Sequence, residues 1–135
     1  MSQPDTIIGE QRTVSRTFYP EDAETFAALS KDRNPLHLDP EYAAETRFGE
    51  PIVHGALVSS LISAALARFD GTVIFVNQEV HFEKPVYFND RVTATTQIID
   101  EYDSFHDVAV KVEDEEGDIA IQGRASIIID SGADQ

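Results

Sequence analysis

The sequence predicts an α+β fold in which an antiparallel sheet wraps around one central, buried helix. Three observations carry that prediction. Residues 52–69 read IVHGALVSSLISAALARF, with 12 of 18 apolar and spread around every side of a helical wheel. A surface helix confines its apolar residues to one stripe, and one that is apolar nearly all round belongs in a core. After Asp70-Gly71 the hydrophobic period changes from helical to two and stays so to the end of the chain. Finally, 135 residues suffice for one domain with a real core, taken as 1–135.

In chain order, residues 1–10 are polar and expected to be frayed. Residues 12–18 (RTVSRTF) are rich in β-branched side chains and read as a short strand. Pro20-Glu21-Asp22 opens a helix, with proline in the first turn and carboxylates at the positive end of the dipole. Ala23, Phe26, Ala27 and Ser30 give that helix a small, largely apolar face. It ends before Asp32-Arg33-Asn34-Pro35, a run of turn formers whose proline disfavours helix in the residue before it. Residues 40–44 (PEYAA) read as one more helical turn, and Phe48-Gly49-Glu50-Pro51 as a loop delivering the chain to the buried helix. Beyond it, Ile74, Val76, Val80 and Phe82 alternate with Phe75, Asn77, Glu79 and His81. Lys84-Pro85 and Phe88-Asn89-Asp90 turn that strand. Val92, Ala94, Thr96 and Ile98 mark the next, ending near Asp100. His106, Val108, Val110 and Val112 make another, and Ile119, Ile121, Ala125, Ile127 and Ile129 the last, with Glu115-Glu116-Gly117-Asp118 as the hairpin turn between them. A long unpaired sheet edge is a liability. Joining two sheets in a homodimer would remove it.

Composition excludes several function classes. The 25 acidic residues outweigh 10 basic ones, for a formal charge of −15, and only Lys31, Lys84 and Lys111 are lysines. Nucleic-acid binding needs a basic patch and is not expected. The apolar runs are too short for a bilayer, which takes about 20 such residues, so no membrane partner is expected. The N-terminus MSQPDTIIGEQ has no basic or apolar region of a signal peptide, and the expected location is the cytoplasm. Cysteine is absent, which removes disulfides and thiolate chemistry. An acidic, lysine-poor surface resembles that of halophile proteins; molar salt, with a Debye length of about 3 Å, would screen its self-repulsion.

The residues suited to chemistry concentrate in SKDRNPLHLD, residues 30–39. An isolated D-x-N-P is an Asx turn backed by proline, and a lone loop histidine is ordinarily solvated. Here a carboxylate, Asp32, precedes an imidazole, His37, by five positions in a proline-stiffened loop, and His54-Gly55 opens the apolar helix soon after. No metal is expected: His37, Asp39 and His54 lack the spacing of H-x-x-x-H or H-E-x-x-H. No G-x-G-x-x-G or Walker pattern suggests a nucleotide cofactor, and none is expected. Ser59, Ser60 and Ser63 lie outside any G-x-S-x-G elbow and read as small packing residues.

Together DRNPLHLDPEYA and RFGEPIVHG resemble the signature of the MaoC-like hydratases, the (R)-specific 2-enoyl-CoA hydratases, over nearly the whole chain. The resemblance implies a hotdog fold, a homodimer and an acyl-CoA thioester substrate. It also implies roles. Asp32 and His37 would hold a water that adds to a trans-2-enoyl thioester, and Asn34 would fix their loop. The Gly55 N–H would meet the thioester oxygen. Ser63 and His54 would support the pair, and Pro35, Ala56 and Leu66 would lie along the substrate pocket. Two positions depart from the family pattern: Lys31 stands where glycine is usual, so the turn there is expected to differ, and Ala56 stands where methionine is common. Arg33, Arg47, Lys84, Arg91 and Arg124 are all candidates for the CoA phosphates. A carrier-protein, branched or dicarboxylic thioester, a thioesterase, or a catalytically silent acyl-CoA binder are the alternatives.

Overall fold

The structure is a computed structural model, and it describes residues 8–130. Five strands form one antiparallel sheet: β1 (Gln11–Thr17), β2 (Thr72–Phe82), β3 (Arg91–Tyr102), β4 (Phe105–Asp114) and β5 (Ile119–Asp130), in the spatial order β1-β3-β4-β5-β2. Between β1 and β2 lie α1 (Pro20–Ser30), α2 (Pro35–Leu38), α3 (Pro40–Ala44) and α4 (Gly55–Leu66). None of these helices is long and apolar enough to cross a membrane.

The α+β prediction holds, with α4 packed on the sheet and the core between them. Val58, Leu61, Ile62, Ala65 and Leu66 of α4 are buried. Val58, Leu61, Ile62 and Leu66 share one core cluster with Val92, Ala94 and Ile98 of β3, Val108, Val110 and Val112 of β4, and Ile121, Ala125, Ile127 and Ile129 of β5. Two details of the predicted rod are corrected. The helix proper runs only from Gly55 to Leu66, because Ile52 forms a bridge with Tyr87 and the Val53 N–H donates to the Val86 carbonyl at 2.9 Å. It is also buried on one face alone: Ala56, Ser60, Ser63 and Ala64 are exposed. Alanine counts as apolar on a wheel, but it buries too little area to demand a core position.

Of the residues expected to fray, the first seven lie outside the described residues. Gly9 and Glu10 do not fray: the Gly9 N–H donates to the Ile98 carbonyl at 2.8 Å, and Glu10 accepts from Ile98 at 3.0 Å. β3 runs past Asp100 to Tyr102, where Asp103, at φ 57°, turns the chain into β4. The strict alternation expected along β2 is broken by a bulge between Phe75 and Asn77, so that Phe75 faces Ile127, Val80 faces Gly123 and Phe82 faces Ile121. Partners directly opposite share a face, so Phe75, Val80 and Phe82 lie on the core side and Ile74 on the other. Among the described residues β2 pairs with β5 alone, and Ile74, Phe75, Val76 and Phe82 are each more than 40% exposed.

The Asp114, Glu116 and Asp118 carboxylates approach within 4.8 Å of one another in the β4–β5 turn. Both Asp114 oxygens are engaged: Oδ1 accepts from the Glu116 and Asp118 N–H groups, and Lys84 Nζ donates to Oδ2 at 2.7 Å.

Candidate active site

The candidate loop begins where α1 stops. Lys31 is left-handed, at φ 71°, and its N–H donates to the Ala27 carbonyl at 2.7 Å, the usual helix-ending geometry. The turn expected to differ is therefore built with lysine in a conformation that glycine adopts without steric cost. The side chains that follow cap the backbone in sequence. Ser30 Oγ accepts from the Asp32 N–H, Asp32 Oδ1 from the Asn34 N–H, and Asn34 Oδ1 from the Leu36 N–H at the start of α2. Pro35 occupies the first position of α2, where its missing N–H costs nothing. Asp39 caps α3, its Oδ1 accepting from the Glu41 and Tyr42 N–H groups.

This short helix carries His37 to the segment entering α4. His37 Nδ1 lies 2.7 Å from the Ile52 carbonyl, which can only accept, so Nδ1 carries the proton and Nε2 keeps a free lone pair. The Ile52 N–H in turn reaches the Leu36 carbonyl at 3.4 Å. His54 is buried at 1% exposure beneath the loop, with Nε2 3.1 Å from the Asp32 carbonyl. The His37 and His54 ring centroids are 4.1 Å apart, and Phe26 stands 4.7 Å from His54. Proton affinity of His37 is lowered chiefly by burial; the Ile52 bond opposes this, His54 adds to it, and the Asp32 carboxylate opposes it. The result is an uncharged imidazole at neutral pH with one nitrogen able to take a proton.

Gly55 begins α4, and its N–H, as the first of the helix, has no intrahelical partner. A Cβ there would stand 2.8 Å from Cε2 of Phe82, so the absent side chain leaves room for that ring. His37, Gly55 and Phe82 line one cleft of about 390 Å³, walled by Phe48, Val58, Val86 and Ile121, with Arg47 and Lys84 among its polar groups. Tyr87 holds the Phe48 carbonyl through its hydroxyl at 3.0 Å.

Of the predicted residues, His37 and Gly55 line the cleft, and His54 joins His37 to the Asp32 backbone; Asp32, Asn34 and Pro35 lie on the adjoining loop, exposed and outside the cleft lining, so Pro35 does not stand in the pocket where it was expected. Ala56 follows on the exposed side of α4. Ser63 is also exposed, two turns or about 12 Å along the axis from Gly55, and hydrogen-bonds neither Asp32 nor His37 among the described residues. Leu66 is 1% exposed within the core and does not line the cleft. Among the candidate cations, Arg47 and Lys84 line the cleft, whereas Arg33 lies 3.9 Å from Glu24 and Arg124 lines a groove with β3 and β4 residues. Sequence reasoning did not assign Phe82 or the Ile52 carbonyl to the site. Phe82 carried only a strand signal, and a backbone acceptor has no signature at all.

A loop of this construction, followed by a glycine-led helix, can be compared with known proteins. Residues 3–118 match the family model described as MaoC like domain. The chain belongs to that family. MaoC-like relatives include the (R)-specific enoyl-CoA hydratase of Aeromonas caviae, 36% identical over 131 residues, which span 94% of this chain and 98% of the relative. The mitochondrial 3-hydroxyacyl-[acyl-carrier-protein] dehydratase of Arabidopsis thaliana is 41% identical over 93 residues, covering 68% of this chain and 55% of that one. Among solved structures, the A. caviae (R)-hydratase involved in PHA biosynthesis superposes with a TM-score of 0.87 at 34% identity, covering 93% of this chain and 98% of that chain. The sheet with α4 packed against it is the hotdog fold of this MaoC-like family.

Proposed function

We propose that this protein is an (R)-specific enoyl-CoA hydratase, adding water reversibly to trans-2-enoyl-CoA to give (R)-3-hydroxyacyl-CoA. The observation that supports it best is a pinned, uncharged His37 in the same cleft as Gly55, whose N–H has no intrahelical partner. Asp32 and His37 hold a water between them. As its oxygen bonds to C3, His37 Nε2 takes a proton and the C2=C3 electron pair moves toward the thioester oxygen. The developing enolate oxygen is met by the Gly55 N–H at the positive end of α4; donors of this kind contribute on the order of 10²–10³ in rate. The proton held by the pair then goes to C2 from the same face, which restores both residues. Asn34 keeps the loop in register, and Arg47 and Lys84, which line the cleft, receive the CoA phosphates.

The open edge of β2, with its exposed apolar side chains, supports a homodimer formed by joining two sheets. The Arabidopsis relative favours a second reading, a carrier-protein thioester as substrate. The formal charge of −15 opposes it, because such carriers are themselves acidic. Comparing rates on the two thioesters separates the readings.

Loss of enoyl-thioester absorbance with crotonyl-CoA is the primary test. Asp32→Asn and His37→Ala are each expected to lower kcat by about 10²–10⁴ while leaving the circular dichroism spectrum intact. Full activity in either variant, or a product of (S) configuration, contradicts the mechanism.

A further inference from the structure

His54 presents an observation that the mechanism above leaves unexplained. Its Nδ1 is fully buried without a hydrogen-bond partner among the described residues, although buried polar atoms are rarely left so. Its Nε2 faces a carbonyl, that of Asp32, and must carry the ring's proton to make that bond. A second proton on Nδ1 would have no acceptor, so the geometry satisfies a single tautomer, with hydrogen on Nε2. The ring is also packed against two others, His37 at 4.1 Å with 31° between the planes and Phe26 at 4.7 Å with 58°.

Filling space does not account for this arrangement. A phenylalanine beside Phe26 would occupy the place without an unpaired nitrogen. Holding the Asp32 carbonyl does not account for it alone either, since a glutamine amide also donates. Only a flat ring with one edge donor meets both partners at once, touching His37 through its face and Asp32 through its edge. These two residues approach from one loop and are tied to each other by no direct hydrogen bond among the described residues.

We propose that His54 is a positioning residue that sets the spacing between Asp32 and His37, donating through Nε2 to the Asp32 backbone while its ring face supports the His37 imidazole. The proposal rests on the hydratase reading for its kinetic consequences, but its tautomer is testable without it. A small shift in that spacing displaces the water held between the pair, and misplacement of reacting groups falls on kcat rather than on binding.

The test uses the full-length enzyme with crotonyl-CoA and two variants. His54→Phe keeps a ring and loses the donor; His54→Gln keeps a donor and loses the ring. For His54→Phe, kcat is expected to fall about tenfold or more, the order of one net hydrogen bond, with KM changed far less. His54→Gln is expected to retain more kcat than His54→Phe. Introduced into Asp32→Asn, where there is no carboxylate left to place, His54→Phe is expected to cost little further. Costs that simply add, or a folded His54→Phe enzyme with wild-type kcat, overturn the proposal, because a space-filling role predicts one or the other. Should neither variant fold, nitrogen-detected NMR of the wild-type imidazoles decides: hydrogen on His54 Nε2 and none on Nδ1 at neutral pH supports it, and hydrogen on Nδ1 overturns it. Wild-type protein inactive on crotonyl-CoA would remove the hydratase reading and leave the tautomer result standing.

Discussion

His37 is a base only while it lacks its second proton, so its environment fixes the acid side of the activity profile. Burial, its largest influence, lowers its proton affinity from the ordinary 6.5, and the balance of Ile52, His54 and Asp32 leaves it lowered. With the folded value below 6.5, the imidazole stays unprotonated as pH falls past 6.5, and the acid limb of kcat/KM is expected to have its midpoint below that value. A pH series with crotonyl-CoA checks this; a limb centred at or above 6.5 contradicts it. At this scale the sequence was most informative about side chains and least about backbone. Asp32, Asn34, His37 and Gly55 were legible because a rare combination of types occurs at fixed spacing. The Ile52 carbonyl that selects the His37 tautomer was not, since any residue supplies a carbonyl. Ser63 and Leu66 entered through resemblance alone, and the structure sets them about two and about three turns along α4 from Gly55.

Among the elements, β2 departs furthest from its sequence pattern. Its period-two rhythm was legible, but the bulge at Val76 reverses which residues face the core, and one inserted residue leaves no mark in hydrophobicity. Its pairing with β5 depends on Gly123, where a Cβ would lie 2.7 Å from the Val80 Cα. Because the obstacle is backbone, no side chain can swing aside. Gly123→Ala is expected to destabilise the fold by about 3 kcal/mol, the upper part of the range for overpacked sites. Urea unfolding measures it, and a loss under about 1 kcal/mol would show that β2 and β5 separate more easily than this register implies. By contrast α4 was legible as a core helix from composition, and only its ends and its outer face were misassigned.

For the whole molecule, charge and the open edge matter together. We carry forward as proposals both the homodimer and adaptation to high salt. An excess of 15 negative charges opposes compaction and association alike. Screening by salt should therefore raise the melting temperature and strengthen the dimer between low salt and molar KCl. Calorimetry and light scattering at both salt concentrations test this, with Val76→Lys on β2 expected to give monomer. A melting temperature independent of salt, or a wild-type monomer at both concentrations, counts against it.

The Leu36–Ile52 and His37–Ile52 contacts also bear on how the protein acquires its shape. They close a loop of only about fifteen residues, and every group assigned to the chemistry lies within residues 32–55. The entropy of closing such a loop is modest, growing only as the logarithm of its length. The sheet is different: Gln11 must find Gln97, and Thr72 must find Asp130. Folding rates fall as contacts become more distant in sequence. The slow step of folding therefore belongs to the scaffold. The reactive loop can form early, and it waits for the strands that will enclose it.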